Sequence, residues 1–145
     1  MAKELIHIAS DHGGFELKKK LIGHLKNSGY EIDDLGTETE DSVDYPEFGS
    51  KAADAVLKDG RPGIIICGTG IGISIAANRK KGIRAALCHS VEYARLAREH
   101  NDANILALGG RFTDENTAFE ITDVFLNTAF LSGRHKRRTD MLDKI

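Results

Sequence analysis

The chain has 145 residues, 41% hydrophobic and 29% charged, with a net charge of −2. That length and apolar fraction suit one buried core and predict a single domain over residues 1–145. The slight negative charge excludes an overall basic field for nucleic acid or an anionic membrane surface, and no window approaches the roughly 20 apolar residues of a membrane span.

In chain order, Leu5 to Ala9 reads as a first strand, followed by Asp11-His12-Gly13-Gly14 and a helix from Gly14 to Asn27 with Phe15, Leu17, Leu21, Ile22 and Leu25 on one face. Tyr30 to Leu35 reads as a second strand, ending at Gly36-Thr37. Pro46 opens a helix to Leu57, since a first helical turn makes no use of the N–H that proline lacks. Gly63 to Cys67 is a third apolar run, leading through alternate glycines into a small-residue helix, Gly72 to Asn78. Ile83 to Cys88, Val91 to His100, Asn104 to Leu108 and Glu115 to Thr128 continue the alternation of strand and helix. The tail carries Arg134, Lys136, Arg137 and Arg138 close together and ends in a weak amphipathic stretch.

Short Ile-, Val- and Leu-rich strands separated by helices imply strands covered on both faces. The predicted class is a doubly wound, Rossmann-like α/β sandwich on a mainly parallel five-stranded sheet, with a C-terminal helical tail. Ligands of such sheets bind beyond the carboxyl ends of the strands. Asp11-His12, Gly36-Thr37, Cys67, Cys88-His89 and Gly109-Gly110-Arg111 all follow strands, so they gather at one edge. The amino-terminal stretch lacks a cationic-then-apolar leader, and Cys67 and Cys88 form no paired motif, which predicts a soluble protein of the reducing cytosol.

The loop Cys67-Gly68-Thr69-Gly70-Ile71-Gly72 concentrates the chemistry. Helix-start N–H groups attract negative charge and favour a thiolate, so Cys67 is a candidate base or nucleophile. Known phosphate loops do not fit. A dinucleotide fingerprint from Gly68 needs glycine where Ile73 stands, a Walker loop from Gly63 needs lysine where Thr69 stands, and a phosphatase loop needs arginine at Ile73. What remains is a cradle of N–H donors suited to a small developing oxyanion. Cys88 reads as a buried structural thiol. Asp11 is either a helix cap or a site residue, and His100 either a helix-end histidine or a functional one. Arg111, Arg134, Arg137 and Arg138 are a solvated surface or a bidentate phosphate grip. His12, Cys67, Cys88 and His100 lack zinc-ligand spacing, so no metal is expected.

Taken together, Ser10-Asp11-His12-Gly13-Gly14, Val43-Asp44-Tyr45-Pro46, Cys67 to Asn78, Gly82-Ile83-Arg84-Ala85, Glu99 to Ile105 and Gly133-Arg134-His135 give a nearly end-to-end match. The chain resembles the ribose-5-phosphate isomerase B family, which includes galactose-6-phosphate and allose-6-phosphate isomerases. The resemblance implies that Cys67 moves a proton between C2 and C1 of the sugar, with backbone groups from Gly68 through Gly70 and Ile71 to Gly72 stabilising the enediolate. It implies ring opening by His100, sugar binding by Asp11, His12 and Asn101, and phosphate and other ligand contacts by Arg111, Arg134 and Arg138. Tyr45 would line the pocket and Thr69 would assist proton handling. Relatives that lack the cysteine use a glutamate in the following helix; here Cys67 is present and that helix has no acid. Family members are dimers or dimers of dimers with shared sites, so His100 and the tail arginines would serve a neighbour's pocket. No cofactor is required. The leading expectation is interconversion of ribose 5-phosphate and ribulose 5-phosphate; the alternatives are a six-carbon sugar phosphate, or a non-catalytic phosphometabolite-binding domain.

Overall fold

The computed structural model describes residues 4–145. Five strands, β1 (Leu5–Ser10), β2 (Glu31–Asp34), β3 (Gly63–Cys67), β4 (Ala85–Leu87) and β5 (Ile105–Gly109), form one sheet in the order β2-β1-β3-β5-β4. Every pairing is parallel. The helices are α1 (Phe15–Asn27), α2 (Tyr45–Asp59), α3 (Ile71–Asn78), α4 (Val91–Asn101), α5 (Glu115–Asn127) and α6 (Arg134–Leu142), with a 3-10 turn at His12–Gly14.

The central strands show why the sequence folds this way. In β3 all five residues are buried, and Ile64, Ile65 and Ile66 have no exposed surface. Full burial of each isoleucine contributes about 2 kcal/mol. Side chains alternate between two cores. Ile64 and Ile66 join Ile6, Ile8, Leu106 and Leu108 beneath α1, α4 and α5, whereas Ile65 and Cys67 join Ala9 and Ala107 beneath α2 and α3. Cys67 therefore faces the α2 and α3 side.

The edges are less regular. β4, an edge strand, pairs with β5 over Ala85–Leu87, shorter than the expected Ile83 to Cys88, with one further bond from the Cys88 N–H to the Ala107 carbonyl. α2 begins one residue before Pro46 and runs to Asp59, where Gly60 adopts φ 73 and its N–H bonds the Val56 carbonyl. The expected C-terminal helical tail, a weak amphipathic stretch in the sequence, is α6.

From β1 the chain crosses to β2 on one side, and β3 lies on the other, so the crevice between the carboxyl ends of β1 and β3 is the switch point where such sheets bind ligands. Asp11 follows one of these strands and Cys67 ends the other.

Candidate active site

Cys67 is 4% exposed and its Sγ accepts a hydrogen bond from the Gly70 N–H at 3.1 Å. Gly70 is the N-cap of α3 and adopts φ 80, the left-handed region; a Cβ there would stand 2.5 Å from Leu87 Cδ1 and 2.8 Å from the Leu108 carbonyl carbon. The turn that aims an N–H at the sulfur thus requires glycine. Thr69 Oγ1 accepts from the Ile71 N–H at 3.1 Å, and the following N–H groups belong to the first turn that no helix satisfies internally. The loop is fastened to the end of β5: the Gly110 N–H donates to the Cys67 carbonyl at 2.8 Å and the Arg111 N–H to the Gly68 carbonyl at 3.0 Å. The Arg111 guanidinium lies against Gly68, with Nη1 3.0 Å from where a Cβ would be.

Across the crevice, Asp11 is buried and fixed twice: its N–H donates to the Ile66 carbonyl at 3.2 Å, and Oδ1 accepts from the Gly14 N–H at 3.2 Å. That geometry is the helix-cap reading of Asp11. His12 Nδ1 accepts from the Val43 N–H at 3.2 Å, which leaves the ring proton on Nε2. The Tyr45 ring lies over the start of α3, its Cε1 2.6 Å from where a Cβ on Gly72 would be, so the ring stacks there only because residue 72 has no side chain. Asp11, His12 and the loop from Cys67 to Gly72 thus follow the carboxyl ends of β1 and β3, with Arg111 packed on Gly68 and Tyr45 on Gly72.

His100, Asn101, Arg134 and Arg138 lie elsewhere. His100 and Asn101 are the last residues of α4, which ends just before the amino end of β5. The Gly63 N–H donates to the Asn104 carbonyl at 3.1 Å, so the end of α4 lies level with the start of β3, four residues from Cys67. At the strand rise that is about 13 Å. α4 also covers the opposite face of the sheet from the one Cys67 points to. The imidazole of His135 stacks on that of His100, with ring centroids 4.3 Å apart and planes 16° apart. Burial, then His100, Arg134 and Arg138, hold the His135 pKa below the ordinary histidine value. Residue spacing leaves the place of His135 open; the stack assigns it to the His100 group.

Ile71 and Ile75 of α3 and Tyr93 of α4 are all more than half exposed, and a cavity of about 440 Å³ lies between β4 and α4, lined by Leu87, Cys88, Tyr93, Leu96 and Asn101 among others. Cys88 is shut into this wall, and burial pushes its thiol up to about 11. Among the described residues no three His, Cys, Asp or Glu side chains cluster as metal ligands would, and no helix is long and apolar enough to cross a membrane.

A parallel doubly wound sheet with a glycine-capped helix start at its switch point is the architecture of an α/β protein that binds its ligand at the carboxyl edge. The model of the ribose/galactose isomerase family matches residues 6–142, and the chain belongs to that family. It is 43% identical to ribose-5-phosphate isomerase B of Escherichia coli over 143 residues, covering 97% of this chain and 95% of that one. Its fold matches ribose-5-phosphate isomerase B of Clostridium thermocellum with a TM-score of 0.95 at 51% identity, over 97% and 95% of the two chains. The enzyme of Mycoplasma genitalium, solved with bound ribulose 5-phosphate, matches with a TM-score of 0.94 at 44% identity, over 99% and 97%. The chain is accordingly an isomerase.

Proposed function

We propose that this protein interconverts ribose 5-phosphate and ribulose 5-phosphate, with Cys67 as the base that shuttles the proton between C2 and C1. The observation that carries the reading is the Gly70 N–H on Cys67 Sγ, at the switch point and beneath the open start of α3. The contact sets a backbone donor against the sulfur at the start of a helix, the arrangement a sulfur base beside an oxyanion cradle would use.

The substrate sets the order of steps. Ribose 5-phosphate is mostly a closed furanose, and only its open form has an acidic C–H beside a carbonyl. His100 opens the ring by moving a proton between the ring oxygen and the anomeric hydroxyl, since an imidazole has both a donor and an acceptor nitrogen. Cys67 then removes the C2 proton. The electron pair moves onto the carbonyl oxygen, and N–H groups from Gly68 to Gly72 stabilise the enediolate. One such donor is worth about 3 kcal/mol in a site closed to water. A proton passes from the C2 hydroxyl to the C1 oxygen, and returning the abstracted proton to C1 then gives the ketose. Asp11, His12 and Asn101 hold hydroxyls, Tyr45 walls the pocket, Thr69 assists proton handling, and Arg111, Arg134 and Arg138 grip the phosphate, whose binding energy orients the reacting carbons.

The separation of the Cys67 loop from the end of α4 within one chain supports a site shared between two copies. A second copy seated on the apolar band of Ile71, Ile75 and Tyr93 covers that surface and brings the His100 group of each copy toward the Cys67 loop of the other. The working unit is a homodimer, alone or within a dimer of dimers.

Two measurements test the reading. The purified protein should convert ribose 5-phosphate to ribulose 5-phosphate with a higher kcat/KM than it shows on allose or galactose 6-phosphate, and saturable binding without turnover refutes it. Cys67→Ala and His100→Ala, each inactive alone, should recover about a quarter of parental activity when co-refolded, since half of the dimers are mixed and each mixed dimer has one intact site. No recovery refutes the sharing.

A further inference from the structure

The segment Gly82-Ile83-Arg84-Ala85 belongs to the end-to-end resemblance, yet nothing above gives it a part in the chemistry. The Arg84 side chain is 16% exposed and reaches two helix ends at once. Its Nε donates to the Asp102 carbonyl at 3.0 Å, its Nη2 lies 3.5 Å from Asp102 Oδ2, and its Nη1 donates to Asp143 Oδ1 at 2.7 Å. Asp102 caps the carboxyl end of α4, directly after His100 and Asn101. Asp143 caps the carboxyl end of α6, the helix that carries Arg134 and Arg138. A cation is favoured at either place, and the planar fork of an arginine can serve both.

Both ends need holding. Asp102 adopts φ 46, rare for a residue other than glycine, and is pinned from the other side by Arg98, whose Nη1 donates to Asp102 Oδ1 at 2.9 Å and to the Ala103 carbonyl at 2.7 Å. α6 buries only Thr139, while Met141 and Leu142 are 58% and 46% exposed, so apolar packing holds it weakly. Its amino end is tied to α4 by the His100–His135 stack and by the Leu131 N–H on the Glu99 carbonyl at 3.1 Å. At its carboxyl end the Arg84–Asp143 ion pair is the polar tether.

We infer that Arg84 is a positioning residue for the isomerase site: by joining the ends of α4 and α6 it presents His100, Asn101, Arg134 and Arg138 as one rigid set. This rests on the roles proposed above for those four residues. A second tether turns α6 from a helix that pivots about its amino end into one that holds Arg138 in register with His100, and arginines held in register bind a phosphate without first being ordered.

The test compares the full-length parent with Asp143→Ala, Arg84→Lys and Arg84→Met. Asp143 is 42% exposed, so its replacement leaves the core intact even if Arg84→Met fails to fold. In Asp143→Ala the KM for ribose 5-phosphate should rise about tenfold with kcat within about twofold, and the Kd for inorganic phosphate by calorimetry should rise in step. Arg84→Lys, a single-point donor, should show the same KM increase with a melting temperature close to the parent's. Arg84→Met should also lower kcat, because it releases Asp102. An Asp143→Ala enzyme with parental KM and parental phosphate Kd overturns the inference. So does a variant that loses only active fraction, with kcat reduced and KM unchanged, the mark of a purely structural role. A parent that turns over no pentose phosphate refutes the functional reading instead, while the phosphate titration still judges Arg84; a parent without phosphate affinity refutes both.

Discussion

The two edges of the sheet use buried titratable groups in opposite ways. At the amino edge His7 is 4% exposed, and both its ring nitrogens are committed: Nδ1 lies 2.6 Å from Asp33 Oδ2 and Nε2 lies 2.9 Å from Asp59 Oδ2. That cluster ties β1 to β2 and to the end of α2, and both nitrogens of its imidazole are taken. At the carboxyl edge Cys67 is equally buried, but its partner is a backbone N–H, that of Gly70 at the start of a helix. Burial alone therefore does not distinguish the two groups. What distinguishes them is the partner set: two carboxylates hold the imidazole, and one helix-start N–H meets the thiol.

The largest expected effect separates Cys67 from the molecule's other buried thiol. Cys67→Ala should reduce kcat by about 10³-fold, near 4 kcal/mol of transition-state stabilisation, and leave the fold intact. Cys88→Ala should keep kcat within about threefold, because that thiol is sealed by burial and has its pKa pushed up to about 11. Initial rates and thermal melts on both variants check the pair. Comparable losses from the two would erase the contrast between an engaged and a sealed sulfur.

Gly70→Ala comes next and strikes the loop itself. At φ 80, and with a Cβ only 2.5 Å from Leu87 Cδ1, alanine should cost about 2 kcal/mol of stability. It should also displace the N–H on Cys67 and lower kcat by about 10²-fold. Gly23→Ala is the control: it lies within α1 with nothing within 4 Å of the added Cβ, and it should raise stability by about 0.5 kcal/mol without touching activity. If Gly70→Ala lost stability but kept full kcat, the Gly70 N–H would have no part in catalysis.

The carboxyl edge was legible in the sequence because its chemistry is built from backbone. Gly63 to Cys67 announces a strand buried on both faces, and the glycines after it announce a helix start that a ligand can approach, so Cys67, Asp11, His12 and Arg111 could be placed by strand ends alone. The other half of the site has no comparable periodicity. α6 reads as a weak amphipath because its docking depends on one ring stack and one ion pair, contacts spread from residue 84 to residue 143 that leave no pattern in a local window. For the same reason spacing puts His100 at a helix end but says nothing of its separation from Cys67, which follows from the strand order and from the Gly63 bond to Asn104. β4 was read too long, since apolar residues such as Ile83 pack into the core without joining the ladder of an edge strand.

The smallest expected effect belongs to the amino edge and should appear in stability alone. Burial raises the Asp59 pKa, but the Arg61 N–H, 2.9 Å from Oδ1, and the His7 ring outweigh it and leave the carboxyl below its ordinary value. A carboxyl depressed in the folded state contributes its stability in full above the unfolded pKa of about 3.9, and that contribution is lost as pH falls through the folded value. Asp59→Asn should therefore melt below the parent at neutral pH, the gap should close as the pH falls below about 4, and kcat should not change. Because Asp59 is about a third exposed, solvent screening limits the difference to under about 1 kcal/mol. A gap that stayed constant from pH 7 to pH 3 would mean that Asp59 acts through packing rather than charge. A loss of kcat in this variant would be more serious, because it would couple the sealed edge to the open one and end the division of labour between them.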